Sequence, residues 1–242
     1  MLVRIVGRGR AGGALFGALA RAGWATELVA GHDVDPAVCH GADAVVLAVP
    51  DAVIASVARS IDPDPACAVL HLSGALGLEV LEPHERRGSV HPLLPLAGAV
   101  SGAEQLHGAW FAVDGDPIAA ELVDVLEGHR FAVASDGRAI YHAAAVVASN
   151  HLVALLGQVE RLAAGIDIPA EAFVGLIGAT LANVASNGAA AALTGPVSRG
   201  DWDTVRRHLE VIGVDERPFY RAAAIEAARL VGQSVPDDIR GE

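Results

Sequence analysis

Six residues near the start carry the first chemistry that can be read from this sequence. Gly7-Arg8-Gly9-Arg10-Ala11-Gly12 is a GxGxxG pattern that directly follows the aliphatic run LVRIV and leads into GGALFGALARAG. Between a strand and a helix this spacing has a mechanism. The first glycine permits a sharp turn, the second lets a pyrophosphate approach the backbone, and the third packs helix on strand. The helix start adds free N–H groups and the positive end of its dipole. The pattern therefore points to a dinucleotide site rather than a merely structural turn, with Gly7, Arg8, Gly9, Arg10, Ala11 and Gly12 as cofactor contacts.

An acidic residue about 20 positions further on, at the end of the second strand, usually holds the ribose 2′-OH of NAD. Here that region reads Val29-Ala30-Gly31-His32-Asp33. Asp33 lies too far along and His32 stands nearer the expected place. A 2′-phosphate is then tolerated, so NADP is expected ahead of NAD, with Arg8 and Arg10 within reach of that phosphate or else solvated on the surface.

Ala44-Val45-Val46-Leu47-Ala48-Val49-Pro50-Asp51 reads as a buried strand followed by an Asp suited to N-cap the next helix. Ligands of open α/β sheets lie at the carboxyl ends of the strands. Val49 and Pro50 are accordingly expected at the adenosine or pyrophosphate, and Ser73 and Gly74 near the nicotinamide. Gly88-Ser89-Val90-His91-Pro92-Leu93-Leu94-Pro95-Leu96 reads as a stiff, non-helical connection that fixes an imidazole. His91 is either a general acid or hydrogen-bond donor toward substrate, or a brace for its own loop.

Further along, Tyr141, His142, Ser149, Asn150 and His151 interrupt a helical run of Ala and Val. At about 100° per residue, His142 and Ser149 share a face, Asn150 lies about 80° away and His151 is opposite His142. Polar groups in an apolar helix need partners or a ligand. His142 and Asn150 are the preferred catalytic pair, with Tyr141 as a substrate contact and interhelical hydrogen bonding as the alternative. Thr180, Asn183 and Asn187 fall within about 60° of arc, where Asn183 touches substrate or bonds a partner helix. In LTGPVSRGD, Arg199 is placed to clamp a carboxylate or form a surface salt bridge, and Asp201 to cap the following helix.

The remaining composition narrows the chemistry. All 17 basic residues are Arg, and the absence of Lys removes Schiff-base chemistry, a Walker A loop and any lysine-dependent hydroxyacid oxidation. A net charge of -12 disfavours nucleic acids and anionic membranes as partners. Cys39 and Cys67 lie in unrelated contexts without metal-ligand spacing, as expected of reduced thiols in a cytoplasmic protein. Arg8, Arg10 and Arg21 interrupt any reading of the start as a signal peptide, and the longest apolar runs are broken by Pro and Asp or by His, Ser and Asn.

A composition of 52% hydrophobic and 4% aromatic residues over 242 positions implies a core of Ala, Val and Leu. To about residue 135, LVRIVG, ATELVAG, DAVVLAVP, CAVLHLSG, GAWFAVDG and HRFAVAS alternate with helical segments, the pattern of buried parallel strands with crossover helices. Helical patterns then cover 138–164, 169–193, 201–212 and 216–232. The fold class is α/β: a Rossmann-type parallel sheet domain over 1–136, followed by an all-α C-terminal domain over 137–242.

IVGRGRAGGAL, DAVVLAVPD, SVHPLLPL, YHAAAVVASNHLVAL and LTGPVSRGDW together resemble the bacterial proteins that join a Rossmann-like domain to a domain of unknown function, DUF 2520. The resemblance spans almost the whole chain. More distantly, the chain is similar to pyrroline-5-carboxylate reductase, prephenate dehydrogenase and the wider 6-phosphogluconate dehydrogenase-like superfamily. That likeness implies an NAD(P) cofactor on the first domain, a small-molecule substrate between the domains and a homodimer built by the helical domain. His91, Tyr141, His142, Asn150, Thr194, Gly195, Pro196 and Arg199 are family-pattern positions. The functional expectation is hydride transfer to or from a small carbonyl, imine or hydroxy compound, the alternative being an NADP(H)-binding regulator or scaffold without turnover.

Overall fold

The computed structural model describes residues 1–32 and 34–241. It forms two compact units, Met1–Asn150 and His151–Glu242. The first is built on a seven-stranded sheet of order β2-β1-β3-β4-β5-β6-β7. Its elements are β1 (Leu2–Val6), α1 (Arg10–Arg21), β2 (Ala25–Val29), β3 (Ala44–Leu47), α2 (Asp51–Ser60), β4 (Ala68–His71), β5 (Arg87–Pro92), α3 (Ala99–Gln105), β6 (Trp110–Gly115), α4 (Ile118–Val125), β7 (His129–Ala132) and α5 (Arg138–Val146). This is the Rossmann-type α/β fold expected from the sequence. All four residues of β3, together with Val3, Ile5 and Val6 of β1, have no exposed surface, as strands covered on both faces must.

The strand order reverses between β1 and β3, which opens a crevice at their carboxyl ends. One face of the sheet carries Ile5, Val46, Leu70, Val90 and Phe111, and the other Val45, Leu47 and Val69 with Ile54 and Leu81. Helices α1 and α3 approach closely because small residues meet. A Cβ on Gly13 would lie 2.8 Å from that of Ala99, and one on Gly102 2.9 Å from that of Ala14.

Two features depart from the sequence reading. Arg87–Pro92 is a strand, not a connection, paired in parallel with β4 and antiparallel with β6. Gly88, Ser89 and Pro92 disguise it, yet each is at home. A Cβ on Gly88 would meet Leu70 Cδ2 at 2.4 Å, and Pro92 occupies the last position, where a missing N–H costs least. The sheet is also mixed, because β6 and β7 run parallel to each other and opposite to the rest.

The second unit comprises α6 (Leu152–Ala164), α7 (Val174–Asn187), α8 (Ala189–Ala192), α9 (Trp202–Val211), α10 (Arg217–Val231) and α11 (Asp237–Arg240). Val205, Leu209, Ala224, Ala228 and Ile239 form its core. Asp201 caps α9 as expected, accepting from the Thr204 N–H at 3.1 Å. Two expected helices are interrupted. Gly188, with φ of 78°, separates α7 from α8, and a π-helical turn at Val147–His151 separates α5 from α6. By length and composition the run Ser135–Ala164 is long and apolar enough to cross a membrane. Its Arg138, however, is 3% exposed and sits with its guanidinium on the first unit's sheet.

Candidate functional site

The glycine turn has the geometry its spacing implies. Gly7 adopts φ of +122°, and a Cβ there would lie 2.3 Å from the Ala48 carbonyl oxygen. A Cβ on Gly12 would lie 1.9 Å from the Gly7 carbonyl oxygen, so α1 cannot start here with a larger residue. Gly9 differs. It N-caps α1, is exposed, and has no atom within 4 Å of where a Cβ would stand. The first bond within the helix runs from the Gly13 N–H to the Gly9 carbonyl, at 2.9 Å. The N–H groups of Arg10, Ala11 and Gly12 thus have no partner in their own helix, and no acidic side chain occupies its first turn. The turn fits a dinucleotide pyrophosphate.

Arg8, Arg10 and His32 are exposed around this turn. Val49 packs at the end of β2, where a Cβ on Gly31 would lie 2.9 Å from its Cγ1, and Pro50 N-caps α2. Asp33 lies outside the described residues. Asp51 is not the expected cap. It is the first residue of α2, and its carboxylate accepts from the Ser73 hydroxyl at 2.6 Å. That hydroxyl also accepts the N–H groups of Ala75 and Leu76, both at 3.2 Å, so Ser73 is committed to shaping its own loop.

Beyond β4 one face of the sheet turns polar. Strand register sets His71 beside Ser89 and Ser89 beside Asp114, while His91 lies one pleat further along β5 on the same face. Helix α5 supplies Arg138, Tyr141 and His142 to this band, at the i, i+3 and i+4 spacing of one helical face. Arg138 donates to the Ser89 hydroxyl at 2.7 Å and to the Asp114 carboxylate at 3.1 Å. Tyr141 Oη lies 2.5 Å from His91 Nδ1, with the rings edge to face. The His142 ring centroid is 6.3 Å from that of His91. Arg138 Nε and His142 Nδ1 are buried without a hydrogen-bond partner among the described residues.

Burial keeps both strand histidines neutral. His71 has no exposed surface, and desolvation, with the Arg138 charge adding to it, pushes its pKa down to about 4. Its Nδ1 accepts the Ser73 N–H at 3.1 Å, which leaves Nε2 to donate to the Gly77 carbonyl at 3.3 Å. His91 is likewise lowered to about 4, by desolvation first and then by the charge of His142. Burial raises Tyr141 above the ordinary phenol value. The backbone of Gly74 lies against the His91 imidazole, since a Cβ there would stand 2.8 Å from Cε1.

The structure thus gathers three of the expected residues, His91, Tyr141 and His142, beside the Ser73-Gly74 loop. Asn150 lies within the π-turn, where its side-chain oxygen accepts from Ser149 at 2.8 Å. Asn183 and Arg199 belong to the second unit and are exposed. Thr180 bonds the carbonyl of Leu176 and Asn187 that of Asn183. Sequence reasoning missed His71, Ser89, Asp114 and Arg138. The period-two spacing of Ser89 and His91, and the helical spacing of Arg138 and His142, were the available signals.

Comparison with known proteins agrees with this architecture. Residues 32–97 match the family model of a Rossmann-like domain, and residues 110–227 that of the domain of unknown function DUF2520. BF3122 from Bacteroides fragilis, a candidate NADP oxidoreductase, superposes with a TM-score of 0.76 at 17% identity, over 94% of this chain and 98% of that one. TM1727 from Thermotoga maritima gives 0.72 at 23% identity, over 95% and 98%. Pyrroline carboxylate reductase from Plasmodium falciparum, solved with NADP bound, gives 0.61 at 13%, over 96% and 98%. No curated protein sequence matches the chain. The chain thus shares its fold with these three structures.

Proposed function

We propose that the chain is an NADP-preferring oxidoreductase acting on a small carbonyl, imine or hydroxy compound. The observation that carries this reading is the His91–Tyr141 pair, a hydrogen bond of 2.5 Å beside the loop that follows β4. A bound dinucleotide supplies the hydride; the chain has to orient it and manage one proton. With His91 neutral, the Tyr141 hydroxyl donates to Nδ1, and Nε2–H is left to donate to the reacting oxygen or nitrogen of the substrate. As substrate takes that proton, Nδ1 takes the one from Tyr141, and the half-buried phenolate takes a proton back from solvent before the next turnover. His142, with its ring centroid 6.3 Å from that of His91, is the alternative acid/base. Asn150, Asn183 and Arg199 are assigned to substrate contacts by residue type.

Preference for NADP rests on the exposed Arg8 and Arg10 of the glycine turn and on the non-acidic end of β2. It also draws on the NADP bound in the Plasmodium reductase. We assign the protein to the cytoplasm, where the free, buried Cys39 and Cys67 stay reduced, and to a homodimer through its helical unit.

Fluorescence titration with NADPH and NADH, followed by a screen of small oxo acids and cyclic imines for NADPH oxidation, tests the reading. Tighter NADPH binding and at least one turned-over substrate are expected, with His91→Ala abolishing turnover. NADPH binding without any turnover leaves a dinucleotide-binding regulator. Binding of neither nucleotide defeats both readings.

A further inference from the structure

The C-terminal turns of α1, α3 and α4 converge around an open recess of about 430 Å³, within the size range of small-molecule sites. It lies at the far end of α1 from the glycine turn, roughly 15 Å along the helix at 1.5 Å per residue. Its floor is apolar and made of small or aliphatic groups: Ala18, Ala22, Ala103 and Leu126. Its rim is charged, with both signs present: Arg21 on one helix, Glu104 and Glu127 on the other two.

The rim charges are free to take a ligand. Among the described residues, neither Arg21 nor Glu104 forms a salt bridge, and Glu127 has only His107 Nε2, at 3.6 Å. Glu127 is held over the recess by a left-handed backbone, φ of 52°, at the end of α4. Three helix C-termini also turn their negative dipole ends toward the same space, which favours a cation there. An ammonium is therefore drawn to Glu104, Glu127 and the helix ends, and a carboxylate to Arg21, with aliphatic carbon filling the floor between them.

We propose that this recess is a second ligand site, separate from the dinucleotide crevice, that binds a free amino acid with an aliphatic side chain. A ligand carrying only one of the two charges leaves the opposite rim unpaired and binds more weakly. Nothing in this assignment depends on the oxidoreductase reading.

The test is calorimetric titration of the full chain at pH 7 with L-leucine, L-valine and L-proline. 3-Methylbutylamine and 4-methylpentanoate serve as half-ligands lacking the carboxylate and the amine. One site per chain is expected for at least one amino acid, with both half-ligands at least tenfold weaker. Arg21→Ala, Glu104→Gln and Ala22→Trp, which fills the recess from an exposed position, should each weaken binding at least tenfold with unchanged circular dichroism. His91→Ala should leave it intact. Absence of binding for all three amino acids overturns the proposal. So does binding that survives the three recess variants, or binding that is lost in His91→Ala, which would make the amino acid a ligand of the oxidoreductase site.

Discussion

Tyr141 Oη and His91 Nδ1 stand 2.5 Å apart, and this bond joins α5 to the end of β5. His91, its pKa lowered to about 4, is uncharged at neutral pH, so the proposed relay would run between neutral groups rather than through an imidazolium acid. Tyr141→Phe keeps the ring that packs edge to face on Phe131 and His91 and removes only the hydroxyl. NADPH affinity should stay within a factor of two or so, while kcat with the substrate found by screening falls by about 10² to 10⁴, the usual contribution of one positioned proton donor. Steady-state kinetics beside a fluorescence titration measures both.

The second and third glycines of the turn, Gly9 and Gly12, should separate stability from binding. Gly12→Ala drives a methyl to 1.9 Å from the Gly7 carbonyl oxygen, a backbone atom that cannot move aside. Loss of about 3 kcal/mol or more is expected from such overpacking, read as a large drop in the urea midpoint. Gly9→Ala meets nothing within 4 Å, so the fold should lose less than about 1 kcal/mol. Its methyl instead enters the space assigned to pyrophosphate, and NADPH binding should weaken by at least tenfold. Equal effects of Gly9→Ala and Gly12→Ala on stability, with NADPH affinity retained by Gly9→Ala, would contradict the assignment.

Gly74 offers a local way to disturb His91 without touching it. A Cβ at Gly74 would sit 2.8 Å from His91 Cε1 and 2.9 Å from Nε2, the atom assigned to donate toward substrate. Gly74→Ala should therefore abolish turnover at an overpacking cost of about 1 to 3 kcal/mol. A proton NMR titration of the His91 ring, showing a changed pKa in Gly74→Ala, checks that the imidazole has moved.

These groups differ in how far the sequence reveals them. Gly7, Gly9 and Gly12 act on their own backbone within one turn, so their spacing alone states their roles. Strand β5 carries little side-chain pattern; what makes it a strand is backbone pairing to β4 and β6, partners 18 or more residues away in register pairs such as His71 with Ser89 and Ser89 with Asp114. The polar band is hidden for the same reason, since it exists only when β4, β5, β6 and α5 are assembled. The phase of Asn150 relative to His142 is hidden too, because simple helical arithmetic takes no account of the π-turn at Val147–His151.

His71 ties the fold to pH. Its pKa is about 4 in the folded chain against 6.5 for the free group, because burial disfavours the charged ring. Between those values the unfolded chain binds a proton that the folded chain does not, so stability rises with pH. The contribution is complete above about pH 6.5 and is lost as pH falls toward 4, with an upper bound of about 3 kcal/mol. His71→Gln, which keeps hydrogen-bonding capacity and does not titrate here, should lessen the slope of the stability profile across that window and leave the like contribution of His91. Urea denaturation at half-unit pH steps measures the slope difference.

Helix α7 makes the case for a second copy of the chain. It is nearly all apolar or small, VGLIGATLANVASN, yet none of its residues is buried. Val174, Ile177, Leu181 and Val184 recur at three- and four-residue spacing, the seam of a helix that packs against a partner helix. Val174, Leu181 and Val184 are 63%, 49% and 39% exposed, too much apolar surface on one stripe for a helix that ends at solvent. Pairing of α7 with α7 from another chain would bury the stripe in a self-complementary contact, in which residue i meets residue j and j meets i across a twofold axis. Light scattering after size exclusion should then give about twice the 24.7 kDa chain mass at micromolar concentration. Val174→Glu with Leu181→Glu places four carboxylates in that contact without disturbing any buried position within the chain. The double variant should run as a monomer with helical content unchanged, and a wild-type chain that already runs at the single-chain mass removes the assignment.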